Sequence, residues 1–171
     1  NNTAIGLAAS GTGDIPSFVV VGSSVVSEIA IIEVTPTYDF NGVTCTGNPE
    51  TFTITVNPGA QVDPVAGQVL CVGESTDEIL FTTSNTDGST TYEWTNNNTA
   101  IGLAASGTGD IPSFTATNDT ASALVATIEV IPTYENGGVT CTGNPETFTI
   151  TVNHGAQAVS YTHLTLPTKN E

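Results

Sequence analysis

The chain repeats itself. Residues 1–18 return unchanged as residues 97–114, an offset of 96, and residues 42–57 return whole as 138–153 at the same offset. Gly59-Ala60-Gln61 returns as Gly155-Ala156-Gln157, whereas residues 19–29 and 115–125, between the identical blocks, share nothing. Self-similarity at a fixed period constrains a fold more than any local pattern does. A unit of about 96 residues has the size of a domain and is too long for a stacked solenoid repeat. Tandem domains are the expectation.

Because Asn1 matches Asn97, the spacing predicts that the chain opens in mid-unit. Residues 1–57 read as the C-terminal part of one domain, 58–153 as a complete domain, and 154–158 as the start of a third. After Gln157 the repeat calls for Val-Asp-Pro-Val, but the chain continues Ala158-Val159-Ser160-Tyr161-Thr162-His163-Leu164-Thr165-Leu166-Pro167-Thr168. That string resembles the translation of a sequencing-library adaptor, so residues 159–171 are expected to be a non-native tail and stay out of the fold argument. The tail contains Lys169, the one basic residue among 171.

Seventeen acidic residues against one basic give a net charge of −16. That balance excludes an ordinary nucleic-acid binder, which needs cations to displace phosphate counterions, and disfavours anionic lipid surfaces. No apolar run approaches the ~20 residues of a spanning helix, so no membrane insertion is expected.

Residues 147–152, Thr-Phe-Thr-Ile-Thr-Val, alternate strictly and place Phe148, Ile150 and Val152 on one face of a half-buried strand. Ala126, Ile128 and Val130 alternate in a second strand expected to end near Pro132. The turn residues Glu135-Asn136-Gly137-Gly138 and Gly143-Asn144-Pro145 make the pair a hairpin with a long loop. Tyr92 and Trp94 share a face of a third strand, opened by a tight turn at Asp87-Gly88. Shorter strands are expected at 68–72, 78–83 and 114–117. Six or seven short strands with frequent turns and no helical periodicity predict an all-β, two-sheet β-sandwich. Its core would hold Trp94, Ile128, Val130, Phe148, Ile150 and Val152.

Three cysteines fit the repeat as one bond per domain. Cys45 and Cys141 are equivalent, and Cys71 precedes Cys141 in the complete unit, so a Cys71–Cys141 disulfide is the expectation, against two buried free thiols as the alternative. A disulfide implies an oxidising, extracytoplasmic setting. No C-x-x-C spacing supports zinc or redox chemistry.

Catalysis needs a poised acid, base or nucleophile backed by a charge-stabilising group. Residues 58–153 hold no His, Lys or Arg, and His154 stands where the earlier copy has Pro58, at a joint between units. Ser/His/Asp and Cys/His sets are therefore absent there. Glu129 and Glu146 could in principle serve as a glycosidase pair, but on alternating strands they read as solvent-side residues. Gly107-Thr108-Gly109-Asp110 reads as a turn, since a phosphate loop needs a following helix that Pro112 denies. Glu74, Asp77 and Glu78 form an acidic cluster, read as solvated, with interdomain calcium as the alternative. The expectation is no catalytic residue, no cofactor and no metal.

Several strings resemble the PKD-like, immunoglobulin-like repeats of very large bacterial surface proteins. They are Val69-Leu70-Cys71, Thr91-Tyr92-Glu93-Trp94-Thr95-Asn96, Ile101-Gly102-Leu103-Ala104-Ala105-Ser106-Gly107, Cys141-Thr142-Gly143 and Thr147-Phe148-Thr149-Ile150-Thr151-Val152-Asn153. The likeness covers everything except the tail, but Asn96-Asn97-Asn98 replaces the aromatic-Gly-Asp-Gly turn of the better-known PKD signature. The resemblance implies an exported, extracellular or cell-surface protein whose repeats serve adhesion or spacing. Its partners would be neighbouring repeats of the same chain, with surface glycans or proteins beyond them. The alternative is a carbohydrate-binding accessory module of a secreted polysaccharide-degrading enzyme, favoured if Tyr92, Trp94 or Tyr134 lie exposed on a flat face. The variable segments 19–29 and 115–125 are where binding diversity would be sought, although drift on an exposed strand explains them too.

Overall fold

A computed structural model describes residues 3–156; the expected tail at 159–171, and the end of the 154–158 segment, lie outside the described residues. The protein is nearly all β, with 43% of its residues in strands and 4% in helix. In chain order the strands are β1 (Glu28–Val34), β2 (Thr37–Phe40), β3 (Val43–Thr46), β4 (Glu50–Val56), β5 (Gln68–Cys71), β6 (Ser89–Asn96), β7 (Ser106–Thr108), β8 (Leu124–Asn136), β9 (Val139–Thr142) and β10 (Glu146–Asn153). Among the described residues, no helix is long and apolar enough to cross a membrane.

Residues 58–153 build one six-stranded sheet in the order β5-β10-β8-β6-β7, with β9 extending β8. The alternation read from the sequence is what buries one face: Ile128, Val130, Phe148, Ile150 and Val152 point inward with Trp94, while Thr147, Thr149 and Glu129 face solvent. Over this face lie two extended segments joined by isolated bridges, Ile79 to Ile111 and Ser75 to Thr115. They contribute Ile79, Phe81, Ile111 and Ala116 to the same core, and Phe81 tilts against Tyr92 at 5.5 Å between ring centroids. This is a layered arrangement consistent with a β-sandwich.

Three local expectations are corrected. Segments 78–83 and 114–117 are extended but not continuous strands. The Asp110 carboxylate takes the Phe81 N–H at 2.8 Å in place of a ladder carbonyl, and Pro112 offers no donor at all. β8 does not end near Pro132 but runs on to Asn136. The Pro132 carbonyl accepts from Gly143 N–H at 2.9 Å, so its missing donor faces the break between β9 and β10, where no ladder bond is lost. The first copy repeats this device with Gly47 donating to Pro36 at 2.9 Å. Finally, Gly107 lies within β7 rather than in a turn, and only Gly109 turns the chain, at φ +68.

Residues 3–57 form the counterpart of part of this sheet: β1 pairs with β4, β2 with β3, and Ile5, Ala30 and Ile32 make a separate small core. They have no counterpart of β5 or β6, so both edges of the β1–β4 pair are open. Phe52 is 45% exposed where its equivalent Phe148 is 5%, and Tyr38 is 66% exposed where Tyr134 is fully buried.

Candidate functional site

The residues that the sequence offers for chemistry do not gather. Glu129 is exposed, and its register partner across the sheet is Thr147 rather than Glu146. The Glu74 carboxylate accepts the Cys71 N–H at 2.7 Å, while the Asp77 backbone pairs with the Gln68 amide. Among the described residues, no three His, Cys, Asp or Glu side chains come together as metal ligands. A shallow groove of about 520 Å³ runs beside residues 59–64 and 142–146, holding Asp63 and Glu146 but no cation. Asp63 there accepts the Thr82 hydroxyl at 2.7 Å.

The expected Cys71–Cys141 disulfide is overturned: Cys45, Cys71 and Cys141 are all free. The reason is the parallel pairing of β5 with β10. It sets Cys71 beside Asn153, one residue past the Val152–Leu124 pair at the start of β8, whereas Cys141 lies opposite Tyr134 near the other end. From Leu124 to Tyr134, at about 3.3 Å per residue, the two thiols are about 30 Å apart. A disulfide needs Cα atoms within roughly 7 Å. Spacing in the sequence could not reveal that the two cysteines belong to opposite ends of the sheet.

The aromatic side chains give no flat platform in residues 58–153. Trp94 and Tyr134 are buried, and Tyr92 is half-buried against Phe81. Burial, then the nearby charges of Asp63 and Asp110, raise the Tyr92 phenol above its ordinary pKa of 10.0, against a lowering hydrogen bond with Thr83.

The densest set of specific polar contacts lies instead where the two copies meet. Asn57 ends the first copy and donates through Nδ2 to the Asn136 carbonyl at 2.9 Å. The Asn136 amide reaches back to Ser27 Oγ at 2.9 Å and Asn57 Oδ1 at 3.3 Å, and Ser27 donates to Asn57 Oδ1 at 3.0 Å. Beside this triad, Thr86 N–H donates to the Val25 carbonyl at 3.0 Å. Asn85 is the second hub: its amide spans the Ser24 and Gly59 carbonyls, each at 3.2 Å, and its Oδ1 accepts Gln61 N–H at 2.8 Å. Tyr134 locks the turn from below, donating to the Thr86 carbonyl at 2.7 Å. Its ring fits because Gly88 carries no side chain; a Cβ there would meet Tyr134 Cζ at 2.6 Å. The connecting residues Pro58 and Ala60 are themselves buried.

No family model matches the chain, and no curated protein or solved structure matches it. The site must be read from its own chemistry. Ser27, Asn57, Asn85 and Asn136 did not stand out in the sequence as functional residues. A signal was available nonetheless: residues 23–27 belong to the variable segment 19–29, and Asn136 falls in a second stretch, 39–41 against 135–137, where the copies also differ.

Proposed function

We propose that this chain is a non-catalytic, immunoglobulin-like repeat module of a large bacterial surface or secreted protein, built from tandem domains of about 96 residues. It serves adhesion or acts as a structural spacer. The observation that carries this reading is the joint. Asn57 bonds across it, Pro58 is buried in it, and no free linker separates the copies. Such a connection suits a stiff rod that projects a terminal head, or that presents many weak sites at high effective concentration. The acidic surface and the residue inventory of 58–153, without His, Lys or Arg, fit the same role. Placement outside the cell rests on the resemblance to surface-protein repeats; the free cysteines lend it nothing.

Accessory sugar binding is the weaker alternative, because the aromatic rings of the complete copy are turned inward. Two measurements on the intact chain separate them. Residual dipolar couplings from both copies are expected to fit one alignment tensor, and migration through polysaccharide gels is expected to be unretarded. Independent tensors would overturn the stiff-spacer reading, and retardation by a polysaccharide would install the alternative.

A further inference from the structure

The joint side chains that have a counterpart in both copies divide into two kinds when the copies are superposed by their offset of 96; Asn85 has no counterpart in residues 1–57. Asn57 recurs as Asn153 and Tyr134 has Tyr38 as its equivalent, so these are constant. Ser27 becomes Ala123, and Asn136 stands where the first copy has Phe40. The two changed positions lie at opposite ends of a copy, yet across the joint they touch: Asn136 Nδ2 donates to Ser27 Oγ at 2.9 Å.

We propose that this pair of positions specifies which repeat end seats on which. In the observed joint a hydroxyl faces a carboxamide. The other members of the pair, a methyl at Ala123 and an aromatic ring at Phe40, are also complementary to each other, but neither suits the opposite polar partner. Alanine opposite Asn136 removes one of the two acceptors of its half-buried amide and leaves only Asn57 Oδ1 at 3.3 Å, and a phenyl ring opposite Ser27 removes the amide that donates to its hydroxyl, which keeps its bond to Asn57 Oδ1. Hydrogen bonds lost without replacement at a half-buried contact are how an interface rejects a wrong partner. The lower end of residues 58–153, formed by Ala123 beside Asn153, is therefore a docking surface for the upper end of a further repeat of the first copy's type, with phenylalanine at the position of Asn136. Asn118 braces this end: its amide donates to the Ser122 and Val152 carbonyls at 2.8 Å each.

The inference rests on the rigid-joint reading of the function, and the test separates the two. Hydrogen exchange of the Thr86 amide, which donates across the joint, is measured in the full chain and in S27A, N136F and S27A/N136F. Each single change removes at least two half-buried side-chain hydrogen bonds of the joint and is expected to lower Thr86 protection about tenfold or more. The double change recreates the Ala–Phe pairing and is expected to restore protection to within about threefold of the parent. Additive losses in the double variant, or no loss in the singles, would overturn the matched pair while leaving the joint itself. An unprotected Thr86 amide in the parent would overturn the rigid joint and the spacer reading with it. Trp94 fluorescence monitors the core of 58–153 throughout. If N136F unfolds that core, N136L with and without S27A carries the same comparison, and rescue or additive loss decides it in the same way.

Discussion

Gly107 lies against the indole of Trp94, its register partner across the β6–β7 ladder, in direct contact with the six-membered ring. A Cβ at Gly107 would overlap Cζ2 and sit 2.6 Å from Cε2. The backbone of Gly107 is not in the left-handed region, so the glycine is there for packing alone. Gly109, two residues on, is the converse: open space around it and φ +68.

These two glycines should therefore fail differently. Gly107→Ala is expected to cost about 1–3 kcal/mol by overpacking and to shift the emission of Trp94, the one tryptophan in the chain. Gly109→Ala is expected to cost about 1–2 kcal/mol through left-handed strain, with the emission unchanged. Denaturant titrations followed by fluorescence check both. Equal spectral shifts from the two variants would contradict the assignment.

The two copies should differ in stability although much of their sequence is identical. Residues 50–57 and 146–153 are the same string, so their amides exchange at matched intrinsic rates. β10 is flanked by β5 and β8, whereas β4 has β1 alone. Amides of β10 are expected to be protected at least tenfold more than those of β4, equivalent to about 1.4 kcal/mol. Because the two cores share no residue, 58–153 expressed without 1–57 should still unfold cooperatively. Equal protection of β4 and β10, or loss of cooperativity on that deletion, would count against two separate folding units.

What could be read ahead of the structure was what depends on local pattern. The Thr-Phe-Thr-Ile-Thr-Val alternation fixes which side of β10 is buried, because strand periodicity leaves only two faces. What could not be read depends on partners far away in the chain. The end of the sheet at which Cys71 sits is decided by parallel pairing with β10, and the extension of β8 past Pro132 by where β9 breaks from β10. The joint was hidden for a related reason. Ser27 and Asn136 are ordinary polar residues in a Thr-, Ser- and Asn-rich chain, and only their apposition gives them meaning.

Thiol chemistry gives a direct check on the revised cysteine assignment. Under non-reducing conditions the native chain is expected to label at three thiols, with exposed Cys45 and Cys71 reacting faster than half-buried Cys141. Cys71→Ser is expected to change stability by no more than about 0.5 kcal/mol, as for a surface substitution. Loss of a native disulfide would cost about 2–5 kcal/mol. A single reactive thiol in denaturant without reductant would restore the bond.

Tyr92 gives the chain an alkaline limit that one substitution should move. Desolvation beneath Phe81, reinforced by the charges of Asp63 and Asp110, holds its phenol protonated beyond the ordinary 10.0, against the lowering contact with Thr83. A proton held more tightly by the folded than by the unfolded chain leaves stability untouched below about pH 10. Above it the unfolded chain alone ionises, and stability falls until the folded pKa is passed. Between about pH 9 and about pH 11 the parent is expected to lose more stability than Tyr92→Phe, in which this contribution is removed. Paired denaturant midpoints at the two pH values measure the difference. Identical losses in both proteins would mean that Tyr92 ionises as freely in the folded chain as in the unfolded one, and that the packing against Phe81 does not exclude water from its hydroxyl.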